Sequence, residues 1–229
     1  MFRNLILTIC CTILVSGCED ASKQVGPGMT FDPPSASATM LPPPTPAQQV
    51  QQPPTPTCAP SAAVTLYRMV TGKSYTLDQA AREMHTTANG TYLSEFINWM
   101  NDHGMDASIT TVPTTAANDM ILAQIKAGYY TAPYVNENAK PNAAHVFIVY
   151  GVDNGRILIS DSNRHLGMNR IAVDGKIFQN QWLINVGTKD HPEAILVFVN
   201  SHPKKPTTGS GKTTAGSLVN SRYDSIIVK

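Results

Sequence analysis

A block of proline divides this chain before anything else can be read from it. From Glu19 to about Thr57 the sequence is dominated by Pro, Ser, Thr, Ala and Gln, with runs such as Pro42-Pro43-Pro44-Thr45-Pro46 and Pro53-Pro54-Thr55-Pro56. Proline lacks the N–H that helices and sheet ladders need, and the stretch holds too few large apolar residues to bury a core. It predicts a spacer in extended polyproline II form. At about 3.1 Å per residue, about forty residues reach on the order of 100 Å. A proline-rich ligand for another protein is the alternative. Beyond the block, about 150 residues remain for one folded domain.

Ahead of the block lies an export signal. Arg3 gives Met1 to Asn4 one positive charge, Leu5 to Val15 is almost entirely apolar, and Ser16-Gly17-Cys18 closes the run. An apolar core of roughly a dozen residues is too short to span a bilayer and suits a signal-peptide h-region. Val15-Ser16-Gly17-Cys18 resembles a bacterial lipobox, in which small residues admit a peptidase and the cysteine thiol receives lipid. The expected organisation is a lipoprotein signal peptide over 1–17, a lipid-anchored tether over 18–51, a folded domain over 52–200 and a low-complexity tail over 201–229. Cys18 is the expected lipidation site. The expected location is the bacterial cell envelope, on the periplasmic side of the inner or the outer membrane. An ordinary secretory signal is the alternative.

Composition excludes some partners. Net charge is +1 and only 14% of residues are charged, so no field points to nucleic acid. A hydrophobic fraction of 42% supports a packed core.

The periodicity changes halfway through the domain. Ala59 to Val70 carries Ala62, Ala63, Leu66 and Val70 at helical spacing, with Gly72 beyond the end. Thr76-Leu77-Asp78-Gln79 reads as a capping box opening a helix through Met84. A third helix runs from Tyr92 to His103, and a fourth from Thr115 to Lys126, after a strand at Ser108 to Val112. From Tyr129 onward the pattern is that of strands: Tyr129 to Val135, His145 to Tyr150, Arg156 to Ser160, Arg170 to Val173 and Ala194 to Asn200, joined by turns such as Asp153-Asn154-Gly155. Helices first and an antiparallel sheet afterwards make the chain α+β. Ser225 to Val228 is a further β-like run, for an edge strand here or on a partner.

The cysteines carry the chemistry. Of four, Cys10 and Cys11 fall in the signal and Cys18 takes the lipid, which leaves Cys58 as the only free thiol. An unpaired cysteine in an exported chain is a candidate reactive thiol. At the start of the first helix, the dipole and unpaired N–H groups favour a thiolate. A small buried hydrophobe is the other reading of a free cysteine, and position alone leaves both open. A thiolate nucleophile needs a histidine partner and a group to orient the ring. His145 opens a strand, and Asp161 ends the next one after the Asp153–Gly155 turn, so a hairpin brings the two side by side. His85, His103, His165, His191 and His202 fall at helix ends or in loops and read as solvated. No histidine pair has metal-ligand spacing with acidic neighbours, and neither metal nor cofactor is expected.

One motif in the tail is a decoy. Gly209-Ser210-Gly211-Lys212-Thr213 is similar to a phosphate-binding loop, but the pattern requires glycine at position 206, where proline stands, and a strand feeding a helix.

The remaining motifs resemble the papain-like, bacteriocin-processing (double-glycine) peptidases. They are Cys58-Ala59-Pro60 at a helix start, Gln52 six residues before the cysteine, His145 opening an apolar strand, and Asp161 sixteen residues further on. Gly90-Thr91 and Phe178-Gln-Asn-Gln-Trp182 are also similar to that family, so the resemblance spans about residues 52 to 200. It implies a papain-like fold, with Cys58 as nucleophile, His145 as general base and Asp161 as the orienting carboxylate. Gln52 would donate its side-chain amide to the oxyanion hole beside the Cys58 backbone N–H. Ala59 stands where the family has glycine, and the double-glycine specificity is not carried over to an exported chain. The expected function is an envelope-anchored cysteine peptidase acting on a peptide or protein of the envelope through an acyl-thioester. The alternative is a non-catalytic papain-like module, an accessory lipoprotein of a secretion, pilus or conjugation apparatus.

Overall fold

The computed structural model describes residues 26–139, 144–163, 170–204 and 223–228. The expected signal peptide, Cys18, the start of the tether, His165 and the 209–213 decoy lie outside these residues. In chain order the elements are β1 (Met29–Thr30), β2 (Thr39–Met40), α1 (Cys58–Thr71), α2 (Leu77–Glu83), β3 (Thr91–Tyr92), α3 (Leu93–Asp102) and β4 (Ala107–Pro113). Then come α4 (Ala117–Lys126), β5 (Tyr129–Asn136), β6 (Ala144–Val146), β7 (Ile148–Asp153), β8 (Arg156–Ser160) and β9 (Arg170–Asp174). The short α5 (Gly175–Ile177) runs into one π-helical turn, Phe178–Trp182, before β10 (Glu193–Asn200) and β11 (Ile227–Val228). Among the described residues no helix is long and apolar enough to cross a membrane.

The apolar runs after residue 128 are explained by a sheet buried on both faces. Its main path is β1-β9-β8-β7-β5-β10-β4, all antiparallel, with β2 added on β7 and β6 on β5. Successive side chains alternate between two cores. Val146, Ile148, Tyr150, Leu158, Ala172, Ile195, Val197 and Val199 pack with α1 and α3. Phe147, Val149, Ile157, Ile159, Ile171, Val173, Leu196 and Phe198 pack with α4 and the Phe178–Trp182 turn. The strand expected over His145 to Tyr150 is two strands. Phe147 separates β6, which follows β5, from β7, which pairs chiefly with β8.

α1 is buried nearly all round, from Cys58 through Tyr67, as its small and apolar residues on every side require. It ends where Gly72, at φ +70°, donates its N–H to Arg68 O. The expected capping box is half formed. Thr76 accepts from Gln79 N, but the Gln79 side chain donates to Glu83 rather than back to Thr76. His103 is half-buried instead of solvated, stacked on Trp99 with 4.0 Å between ring centroids.

The spacer expectation is corrected over residues 26–51. This stretch is strapped to the domain. Met29 and Thr30 pair with Val173 and Ala172, and Thr39 and Met40 pair with Val152 and Gly151. Leu41 N donates to Tyr150 O, Tyr130 donates its hydroxyl to Pro42 O, and Val50 N donates to Thr65 Oγ1. The physical reason lies between the prolines. Met29, Leu41 and Val50 are few but sufficient to anchor a strap onto a sheet already built, though they could not form a core alone. At the other terminus, the open question about Ser225 to Val228 is resolved: β11 pairs antiparallel with β3 of its own chain.

Candidate active site

Cys58 is the first residue of α1. The chain reaches it through tight turns in which Thr55 N donates to Pro53 O and Thr57 N to Thr55 O, both at 2.7 Å. Thr57, at the N-cap, makes no side-chain cap, and its hydroxyl turns back to Thr55 O. No capping side chain therefore competes for the first-turn N–H groups, whose partial positive charge favours an anion at residue 58. Pro60 suits the first turn, where its missing N–H has no intrahelical partner to lose.

The hairpin of β7 and β8 delivers the other two residues. Ser160 pairs with Ile148, so Asp161 passes Phe147 and meets His145 on β6. His145 Nε2 lies 2.8 Å from Asp161 Oδ1, and Asn163 N donates to the same oxygen at 2.9 Å. With Nε2 engaged, the ring's hydrogen bond to Cys58 falls to Nδ1. Cys58 is 0% exposed, and His145 and Asp161 are each 2% exposed. Thiol, imidazole and carboxylate thus form one buried hydrogen-bonded chain.

The electrostatics of His145 follow from its neighbours. Burial, the largest single influence, disfavours the imidazolium. The Asp161 carboxylate, the charge on Cys58 and hydrogen bonds to both outweigh it together and hold the ring well above the ordinary histidine range. Tyr134, on β5, is pushed up first by burial and then by the negative charge of Cys58.

Gln52 comes to the same place by a different route. Its backbone N–H donates to Ser162 O at 2.7 Å, which ties it to the residue after Asp161. Its side-chain Nε2 donates to Thr55 O at 3.1 Å, inside the turn that leads into Cys58. All four sequence-selected residues of the domain are therefore gathered here. Three form the hydrogen-bonded chain, and the Gln52 amide braces the approach to Cys58.

No protein-family model matches the chain, and no curated protein matches it in sequence. Solved structures do match in shape. The peptidase domain of Streptococcus ComA, a bifunctional ABC transporter involved in quorum sensing, is 17% identical with a TM-score of 0.52, over 66% of this chain and 96% of that domain. The double-glycine-motif protease of an AMS/PCAT transporter, solved with its leader peptide, is 13% identical with a TM-score of 0.50, over 75% and 99%. A C39-like peptidase from Bacillus anthracis is 14% identical with a TM-score of 0.52, over 72% and 98%. The fold is papain-like, of the C39 type. At these identities the likeness concerns the fold alone.

Sequence reasoning passed over Tyr134, Ser162 and Asn163. Asn163 was accessible in principle, because a backbone donor two residues after a carboxylate is a common turn arrangement. Nothing in the sequence marks Tyr134, whose position depends on the β5–β6 register.

Proposed function

We propose that the chain is a cysteine peptidase of the papain-like type, held on an envelope membrane by acylated Cys18. The observation that supports this reading is the buried Cys58–His145–Asp161 hydrogen-bonded chain at a helix N-terminus. The Cys58 thiolate attacks the scissile carbonyl carbon, and the carbonyl oxygen takes the negative charge. In this reading the oxyanion accepts from the Cys58 backbone N–H and from the Gln52 amide N–H that Thr55 O does not take. As the C–N bond breaks, the His145 imidazolium gives its proton to the departing amine, leaving an acyl-thioester. His145 then takes a proton from water, whose oxygen attacks the thioester, and the C–S bond breaks to regenerate the thiolate. Asp161 holds the ring and stabilises its charged form throughout.

A specific observation favours the accessory-module alternative. Cys58 is fully covered, and an enzyme must expose its thiol. The test is turnover of a peptide library with a fluorogenic readout. Cys58→Ala should abolish hydrolysis while leaving the circular dichroism spectrum and melting temperature near those of the parent. Hydrolysis retained in Cys58→Ala would remove the nucleophile from the account.

A further inference from the structure

We infer that residues 223–228 of this chain occupy the peptide groove beside Cys58, so that the chain's own C-terminal segment and an extended peptide substrate exclude one another. The inference rests on the peptidase reading for the word substrate, but not for the contact itself.

Cys58 and His145 come from different layers of the fold. Cys58 opens α1 on the helical side and His145 sits on β6 on the sheet side, with α1 packed against β6. The C-terminal segment bridges the two. Ile227 and Val228 pair antiparallel with Tyr92 and Thr91, and Leu93 N donates to Ile226 O at 2.8 Å. On the sheet side, Tyr134 donates its hydroxyl to Ile227 O at 3.3 Å, and β11 packs against β6. Tyr134 is also the residue whose phenol feels the charge of Cys58, and it pairs with Val146 one position along β6 from His145. Val228 is 0% exposed and shares one apolar cluster with Cys58.

The contact with the segment is close at the backbone. Gly90 sits at φ +113°, and a Cβ there would fall 2.0 Å from Val228 O, so only glycine admits the strand at that distance. Main-chain hydrogen bonds to a short edge, with aliphatic side chains laid into a covered cleft, are how extended peptides add to sheets. Here Tyr-Asp-Ser-Ile-Ile-Val holds that position in cis.

The test uses the full chain with Cys10, Cys11 and Cys18 replaced by serine, so that Cys58 is the only thiol. Its rate of alkylation by N-ethylmaleimide is compared with that of the same chain carrying Ile227→Asp, a half-buried tail position. The expected result is alkylation about tenfold faster or more in the variant, because the covered state is a local equilibrium that the charge biases open. Equal rates in a folded variant would overturn the inference. If Ile227→Asp does not fold, amide exchange on the parent decides. Protection of the Leu93 amide should be lost once Cys58 carries the bulky adduct, and unchanged protection would overturn the inference. Alkylation requires no hydrolysis, so the two readings separate. A thiol that becomes reactive in Ile227→Asp yet cuts no peptide supports the tail contact and counts against the peptidase. Peptide hydrolysis at equal rates in both chains counts against the tail contact alone.

Discussion

At the scale of single residues, the site depends on whether Asp161 and Cys58 together keep His145 charged where burial alone would discharge it. The direction gives a pH prediction. A base held well above its ordinary value contributes stability in full below about pH 6.5, where the unfolded imidazole is already protonated, and loses it as the pH rises through the folded value. The same deprotonation ends the imidazolium's service as acid, so the alkaline limb of the kcat profile should lie above the ordinary histidine range. Asp161→Asn should move that limb towards lower pH and cost less activity than His145→Ala, because packing still orients the ring; a pH–rate series on both variants checks this. Gln52→Ala should lower kcat by about 10²- to 10³-fold if its amide serves the oxyanion. A change confined to KM would return Gln52 to a purely bracing role. Histidine and carboxylate were legible because hairpin geometry converts sequence spacing into distance, and the cysteine because it is the thiol left once the signal and the lipidation site are set aside. Tyr134 and the 162–163 turn were not, since they depend on register between distant strands.

At the scale of elements, the helices and the antiparallel strands that build the two cores were legible from helical spacing and turn-bounded β-like runs. The strap was not. Proline density reads as inability to form a core, and it is silent on whether a core formed elsewhere will hold the segment. Two predictions concern the strap. A Cβ on Gly151 would fall 2.5 Å from Met40 Cβ and 3.0 Å from Thr39 O, so Gly151→Ala should push β2 off β7. Hydrogen exchange should then show lost protection at Leu41, whose N–H donates to Tyr150 O. Further along, the buried Asp153 carboxylate accepts from the Ser35 hydroxyl, from Ser35 N at 3.0 Å and from Arg156 at 2.6 Å. The Ser35 hydroxyl first, then its backbone N–H and Arg156, hold the group below the usual carboxylate range against the effect of burial. Its contribution is full above about pH 4, where the unfolded carboxyl is ionised, and is lost as the pH falls through the lower folded value. Limited acid-stable proteolysis around Ser35 should therefore accelerate in acid, and Asp153→Asn should show that susceptibility already at neutral pH.

At the scale of the whole molecule, a proposed lipid anchor, a strap and a covered thiol describe a papain-like domain with flanking segments, residues 26–51 and 223–228, engaged with it. The proposed anchoring predicts that Cys18→Ser abolishes incorporation of labelled fatty acid and moves the chain from the membrane to the soluble fraction. Persistent membrane association without label would require another anchor. The fold class was readable from the order of helices and strands, whereas the cis contact of the C-terminal strand was not, because a four-residue β-like run has no partner written into it. The central claim remains the thiolate–imidazolium pair, and ultraviolet absorbance of the thiolate tests it without requiring access to the cleft. In the chain from Glu19 onward, at about pH 7, the account predicts a thiolate signal that disappears in Cys58→Ala and in His145→Ala alike. No signal, or one that His145→Ala leaves unchanged, would contradict it.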